Sequence, residues 1–205
     1  MNADVVLLAT RSEGKLRELR PLFGAAGIRV LDIREAQVRE SADEDLVEAF
    51  DTFAENAVAK ARYFQVLTGL PTIADDSGLE VEALEGKPGV RSKRFSGRAD
   101  LTGQPLDDAN NARLLDSLRT VERPRARYVC AAAYFDNTRE EVVLGETAGT
   151  IIRDARGREG FGYDPYFLSD ELGATFGESS REAKERVSHR GRAFRALLER
   201  LSAQR

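Results

Sequence analysis

An apolar run, Pro71-Thr72-Ile73-Ala74, delivers two adjacent carboxylates, Asp75 and Asp76, to the turn-forming pair Ser77-Gly78. A buried strand that ends in two acids constrains the fold strongly. Like charges side by side repel and lose hydration, so one must be protonated, paired with a cation or bound to a metal. The chain must therefore bring something positive to this point. Hard oxygen ligands favour Mg²⁺ or Mn²⁺ over zinc, and such ions bind substrate phosphates alongside one or two carboxylates. Phosphate chemistry is the first expectation. Asp, Ser and Gly are also ordinary turn formers, so the segment taken alone equally describes an acidic turn.

With 205 residues the chain is one ordinary domain or two small lobes around a substantial core. A net charge of -4 argues against coating nucleic acid by bulk electrostatics, so any anion site is local. The single cysteine, Cys130, lies in an apolar run from Tyr128 to Ala133, which reads as a small buried thiol and fits a reducing cytoplasm. Val5 to Ala9 is too short for the core of a signal peptide, and no run approaches membrane-spanning length.

Residues 5–9 read as a buried strand and 15–23 as a helix through Leu16, Leu19, Leu22 and Phe23, with Pro21 as a kink point. Residues 29–33 form a second strand and 46–67 one long helix, with Phe50, Phe53, Ala57, Ala61 and Phe64 on its apolar face. Glu48, Glu55, Asn56 and Lys60 share its polar face. The acidic turn separates the strand ending at Asp76 from a second one carrying Leu79, Val81 and Ala83. Residues 85–103 read as a mobile loop and 107–121 as a helix. A hairpin follows, with strands 127–135 and 141–146 about Asp136 to Arg139 and residues 150–153 continuing the second strand. Helices over 181–187 and through Phe194, Leu197, Leu198 and Leu201 close the chain. This order predicts an α/β protein with a mixed sheet and flanking helices, and ligands at strand ends.

Three further segments carry polar groups suited to a nucleotide. The loop Thr10-Arg11-Ser12-Glu13-Gly14-Lys15 leads from a strand into a helix, where free amides, hydroxyls and Lys15 suit an anion; an N-cap alone would also explain it. Gly160-Phe161-Gly162-Tyr163-Asp164-Pro165 places two aromatics in a glycine loop, where a planar base would cover a ring. Lys184, Ser188, His189 and Arg190 set the only histidine beside a guanidinium at a helix junction, and no Ser/His/Asp relay is legible.

Taken in order, TRSEGK, TFAENAVAKA, ADDSGLEV, PGVRSKRFSG, GFGYDPYF and SREAKERVSHRGRA resemble the RdgB-type inosine/xanthosine triphosphate pyrophosphatase family over essentially the whole chain. The resemblance implies a single pyrophosphatase domain, an elongated α/β fold of two lobes around a central nucleotide-binding cleft, and a homodimer. It implies Mg²⁺-dependent hydrolysis of aberrant purine nucleoside triphosphates to monophosphate and pyrophosphate; Mn²⁺ is the other ion the hard ligands allow, and net charge and the lack of a long apolar run argue against a nucleic-acid or membrane partner. By motif position, Asp76 matches the proton acceptor and a metal ligand, Glu48 the other metal carboxylate, Lys60 the catalytic helix lysine and Ser77 a substrate contact. Thr10, Arg11, Ser12, Glu13, Gly14 and Lys15 match the triphosphate loop; Phe161, Gly162, Tyr163 and Asp164 the base platform; Lys184, His189 and Arg190 the base-reading cluster. Lys184 and Arg190 would offer donors to the six-position carbonyl of hypoxanthine or xanthine, where adenine presents a donor of its own.

Two positions depart from the family pattern. Ser12 stands where the loop usually has asparagine, which shortens the side chain and removes a donor, and Phe50 replaces a usual glycine just after Glu48. A Maf-type pyrophosphatase is the enzymatic rival, opposed by the GFGYDP and SHR segments. A catalytically silent nucleotide-binding module is the other, opposed by the cost of keeping both acids without an ion.

Overall fold

The computed structural model describes residues 5–41 and 44–203. Its sheet is seeded by β1 (Val5–Leu8), which runs parallel to β2 (Arg29–Asp32) on one side and to β3 (Thr72–Val81) on the other. Both pairings need crossovers, supplied by α1 (Glu13–Ala25) and by the stretch holding α2 (Glu44–Val47) and α3 (Phe53–Thr68). β4 (Arg125–Phe135) and β5 (Glu140–Ile151) form the hairpin about Asp136 to Arg139, and β6 (Phe167–Ser169) adds antiparallel to β5. The six strands lie in the order β2-β1-β3-β4-β5-β6, a mixed sheet as the alternation predicted. The remaining helices are α4 (Gly103–Ser117), α5 (Arg181–Val187) and α6 (His189–Ser202).

The chain divides into two compact units. The first comprises residues 1–76, 130–145 and 190–205; its core joins Val6, Leu8 and Ile73 of the sheet to Leu16, Leu19 and Phe23 of α1 and Phe194, Leu197 and Leu201 of α6. The second comprises 77–129 and 146–189; Leu79, Val81, Tyr128 and Ile151 pack there with Leu114 and Leu118 of the α4 region, Phe167 and Phe176. Among the described residues no helix is long and apolar enough to cross a membrane.

Four expectations need correction. The helix expected over 46–67 is broken: α2 ends at Val47 and α3 begins only at Phe53, capped by the Thr52 hydroxyl, which accepts from Glu55 N at 3.2 Å. The break is held by Asn56, whose side chain accepts from Phe50 N at 2.9 Å and donates to Phe50 O at 3.1 Å, leaving the Phe50 ring exposed. Ser77-Gly78 is no turn, because β3 continues through it in extended conformation between β1 and β4. Residues 89–94 form a 3-10 helix rather than a loose loop; Ser92 donates to Gly89 O and accepts from Leu79 N. The helix read over 107–121 starts four residues earlier, since Pro105 is tolerated in a first turn.

Candidate active site

Continuity of β3 resolves the conflict between its two acids. Successive strand residues point to opposite faces, so Asp75 and Asp76 are adjacent in sequence but turned apart. Asp75 is fully buried on the α1 and α6 side. Its Oδ2 lies 2.9 Å from Lys15 Nζ and 3.3 Å from Arg190 Nε, while the Cys130 thiol donates to it at 3.9 Å. Burial opposes the charge on Asp75, but Lys15, Arg190 and Lys60 together outweigh it and hold its pKa far below the ordinary carboxylate value. The cation demanded by the sequence is thus present twice over.

Asp76 faces α3, where its Oδ2 accepts from Asn56 Nδ2 at 3.0 Å. Burial pushes its pKa up; Lys60 and Lys15 work against that rise and Glu48 adds to it. Burial and neighbouring charge therefore move the two carboxyls in opposite directions, Asp75 down and Asp76 up. Lys60, on α3 one turn beyond Asn56, ion-pairs with Glu48. Burial disfavours its charge, yet Glu48, Asp75 and Asp76 more than compensate, and its pKa ends above the ordinary lysine value. Glu48 reaches this cluster from the turn after α2, not from a shared helix face as the sequence suggested; Glu55 serves the α3 cap instead.

The loop before α1 is largely self-supported. Thr10 is buried and its Oγ1 accepts from Ser12 N at 3.2 Å; Ser12 caps the helix by accepting from Lys15 N at 3.4 Å. Arg11 forks onto Glu44 at 2.6 and 2.8 Å, Glu13 pairs with Arg34, and Gly14 lies within the first turn of α1. Lys15 joins this loop to β3.

The second unit gathers the other predicted residues. Gly160 and Gly162 adopt positive φ of 77° and 63°. A Cβ at Gly160 would fall 2.0 Å from Asp164 Oδ2, so only glycine fits beside that carboxylate. Asp164 Oδ2 accepts from Phe161 N at 2.8 Å and from Lys184 Nζ at 2.6 Å, and its Oδ1 accepts from the Tyr128 hydroxyl at 3.3 Å. Lys184 also lies 5.2 Å from the Phe161 ring centroid and 5.3 Å from that of Phe176, as a cation over aromatic faces. His189 stacks on Tyr128 at 4.6 Å and 8°. Tyr163 donates its hydroxyl to Ser92 O at 2.8 Å, and Ser77, half-buried, opens this unit along β3.

Arg190 belongs to a different compact unit from Lys184 and His189. Ser188 caps α5 in extended conformation, and Arg190, one residue into α6, belongs to the first unit, where Glu18 accepts from it at 2.5 Å and Asp75 at 3.3 Å. Sequence reasoning passed over Tyr128, read only as part of an apolar run, and gave Asn56 no role beyond a polar face. A cavity of about 440 Å³ in the second unit, lined by Leu115, Pro124, Thr150 and Arg153 among others, contains none of these side chains.

Among the described residues no group of three or more His, Cys, Asp or Glu side chains is arranged to hold a metal ion. Glu48 and Asp76 nonetheless supply two hard carboxylates, and the charge of Glu48 raises the proton affinity of Asp76. That donor set fits Mg²⁺, which takes one or two protein carboxylates and completes its shell with water and phosphate oxygens.

Residues 6–200 match the model of the Ham1 family. The dITP/XTP pyrophosphatase of Frankia alni is 48% identical over 195 residues, covering 94% of each chain. A dITP/XTP pyrophosphatase of Thermus thermophilus is 44% identical over 198 residues, covering 95% of this chain and 90% of its own. Among solved structures, a HAM1 protein from Coxiella burnetii superposes with a TM-score of 0.83 at 33% identity, over 97% of this chain and 98% of that one. The Staphylococcus aureus Ham1 protein gives 0.80 at 32% identity, over 98% and 100%.

Proposed function

The chain belongs to the Ham1 family, and from that premise we propose that it hydrolyses aberrant purine nucleoside triphosphates, ITP/dITP and XTP/dXTP, to the monophosphate and pyrophosphate. The observation that carries this reading is the opposed pair in β3. Asp75 is buried and ion-paired with Lys15 and Arg190, while Asp76 faces α3 with its pKa raised by burial, as suits a group that takes a proton from water. Neither rival reading gains an observation of its own.

In this mechanism the amides and hydroxyls at the start of α1 receive the triphosphate, aided by the positive end of the helix. Asp76 orients and deprotonates the attacking water. Asn56 fixes the carboxylate that does so, through the bond to Oδ2. Lys60 and Lys15 take up charge as pyrophosphate departs. Mg²⁺, held by Glu48 and Asp76, would supply charge neutralisation on the phosphates, and Mn²⁺ has the same donor preference. The base rests on Phe161 and meets donors from Lys184. A homodimer and a cytoplasmic location complete the reading; the buried free thiol of Cys130 supports the latter.

Asp76→Asn tests it. The amide keeps an oxygen for Asn56 but cannot accept the proton, so kcat should fall by roughly 10²–10⁴ with the fold retained. A rate near that of the parent at saturating Mg²⁺ would overturn the role given to Asp76.

A further inference from the structure

Helix α4 carries no residue singled out by the motifs, yet two of its polar side chains converge on one glycine. Asp107 Oδ2 accepts from Gly162 N at 2.9 Å, and Asn111 Nδ2 donates to Gly162 O at 3.0 Å. Residues four apart lie one above the other on a helix face, so this pair engages both backbone polar groups of a single glycine. Gly162 is held at φ 63° and immediately follows Phe161. Phe161 N is in turn fixed by Asp164 at 2.8 Å. The peptide chain is therefore gripped on both sides of the ring assigned to the base.

Asn111 shows that the grip is specific. It is buried, and its Oδ1 has no hydrogen-bond partner among the described residues. Turning the amide over would face Oδ1 toward the Gly162 carbonyl, so the orientation is fixed by that acceptor at the expense of its own oxygen. Asp107 is half-buried, and its carboxylate is pushed up by burial despite the Gly162 amide. Two side chains on one helix face that hold both backbone polar groups of one loop glycine, next to the ring, have a positioning task.

We propose that Asp107 and Asn111 are positioning residues that set the seat of the Phe161 ring and thereby the affinity for the purine. The inference rests on the functional reading above. A loop that holds the base in ground and transition states alike acts through KM rather than kcat.

Steady-state pyrophosphate release from ITP by Asp107→Ala and Asn111→Ala, together with inhibition by inorganic tripolyphosphate, tests the proposal. KM for ITP should rise about tenfold, the equivalent of one lost hydrogen bond to a charged or buried partner, with kcat within about twofold. The inhibition constant of tripolyphosphate, which has no base, should stay within about twofold of the parent value. Asp107→Asn keeps an acceptor for Gly162 N and should restore most of the affinity. KM within about twofold of the parent in both alanine variants, or a parallel loss of tripolyphosphate binding, would overturn the positioning role. A parent enzyme inert toward ITP would instead overturn the functional reading, and this inference with it.

Discussion

Replacing Arg190 by methionine should break the first unit's buried charge network. The guanidinium is buried against Asp75, itself fully buried, and against Glu18. Breaking a buried ion pair by removing one partner costs about 3–5 kcal/mol, because the remaining charge stays desolvated. Here Lys15 remains 2.9 Å from Asp75, and Glu18 is partly exposed and rehydrates, so the lower end of that range, about 3 kcal/mol, applies. For a protein of this size that corresponds to a fall in Tm of roughly 6–12 °C. Urea denaturation with an unchanged m-value measures it. The double variant Arg190→Met/Asp75→Asn should recover part of the loss, giving a coupling term that separates the pair from lost packing. Arg190→Lys should recover little, since an ammonium cannot fork between Asp75 and Glu18. A Tm within about 2 °C of the parent, or strictly additive effects in the double variant, would refute the reasoning.

Ser12→Asn should lower KM for ITP with less effect on kcat, because the longer amide adds a donor beside the α1 amides; an unchanged or higher KM in steady-state kinetics contradicts this. The hairpin turn supplies a pH prediction. Burial would raise the Asp136 carboxyl, but the Tyr134 hydroxyl at 2.6 Å and Thr138 and Arg139 donors at 2.7–2.8 Å prevail and lower it below its ordinary 3.8. The stabilisation from a lowered acid is complete above that value and disappears as pH falls through the folded-state pKa. Asp136→Asn should therefore be less stable than the parent near neutrality, with the gap closing below pH 3.8, and urea titrations showing a pH-independent gap would contradict it.

Much of the architecture was legible because its causes are local. The strand, capped loop and helix from Val5 to Ala25, the hairpin about Asp136 and the bounds of α5 follow from periodicity and turn chemistry. The break between α2 and α3 was not, because the 46–67 pattern is helical throughout and the Phe50 backbone is secured by a side chain, Asn56, that also serves Asp76. One acid was expected to be protonated, metal-bound or paired with a cation, and Asp75 is paired with Lys15 and Arg190; the division of the two between faces depends on β3 running through Ser77-Gly78, which turn propensity opposes. Lys184, His189 and Arg190 were read as one cluster from proximity in sequence; extended Ser188 ends α5 after Lys184, and the ion pairs of Arg190 with Asp75 and Glu18 are long-range contacts that no local pattern announces. Asp107 and Asn111 have a legible spacing of four, yet their target lies 51 residues beyond Asn111, and nothing in a helix face names a distant peptide.

The most direct measurement is product analysis with competing substrates. Purified protein with Mg²⁺ is given ITP, XTP or ATP, and pyrophosphate and orthophosphate are quantified separately during the first turnovers. On the proposed reading Lys184 meets a six-position carbonyl but faces donor with donor in adenine, and a donor facing a donor in a buried site costs about 1–3 kcal/mol. Pyrophosphate should be the first product, and kcat/KM for ITP and XTP should exceed that for ATP by about tenfold or more. Orthophosphate as the first product, or equal kcat/KM for ITP and ATP, would contradict the assigned activity.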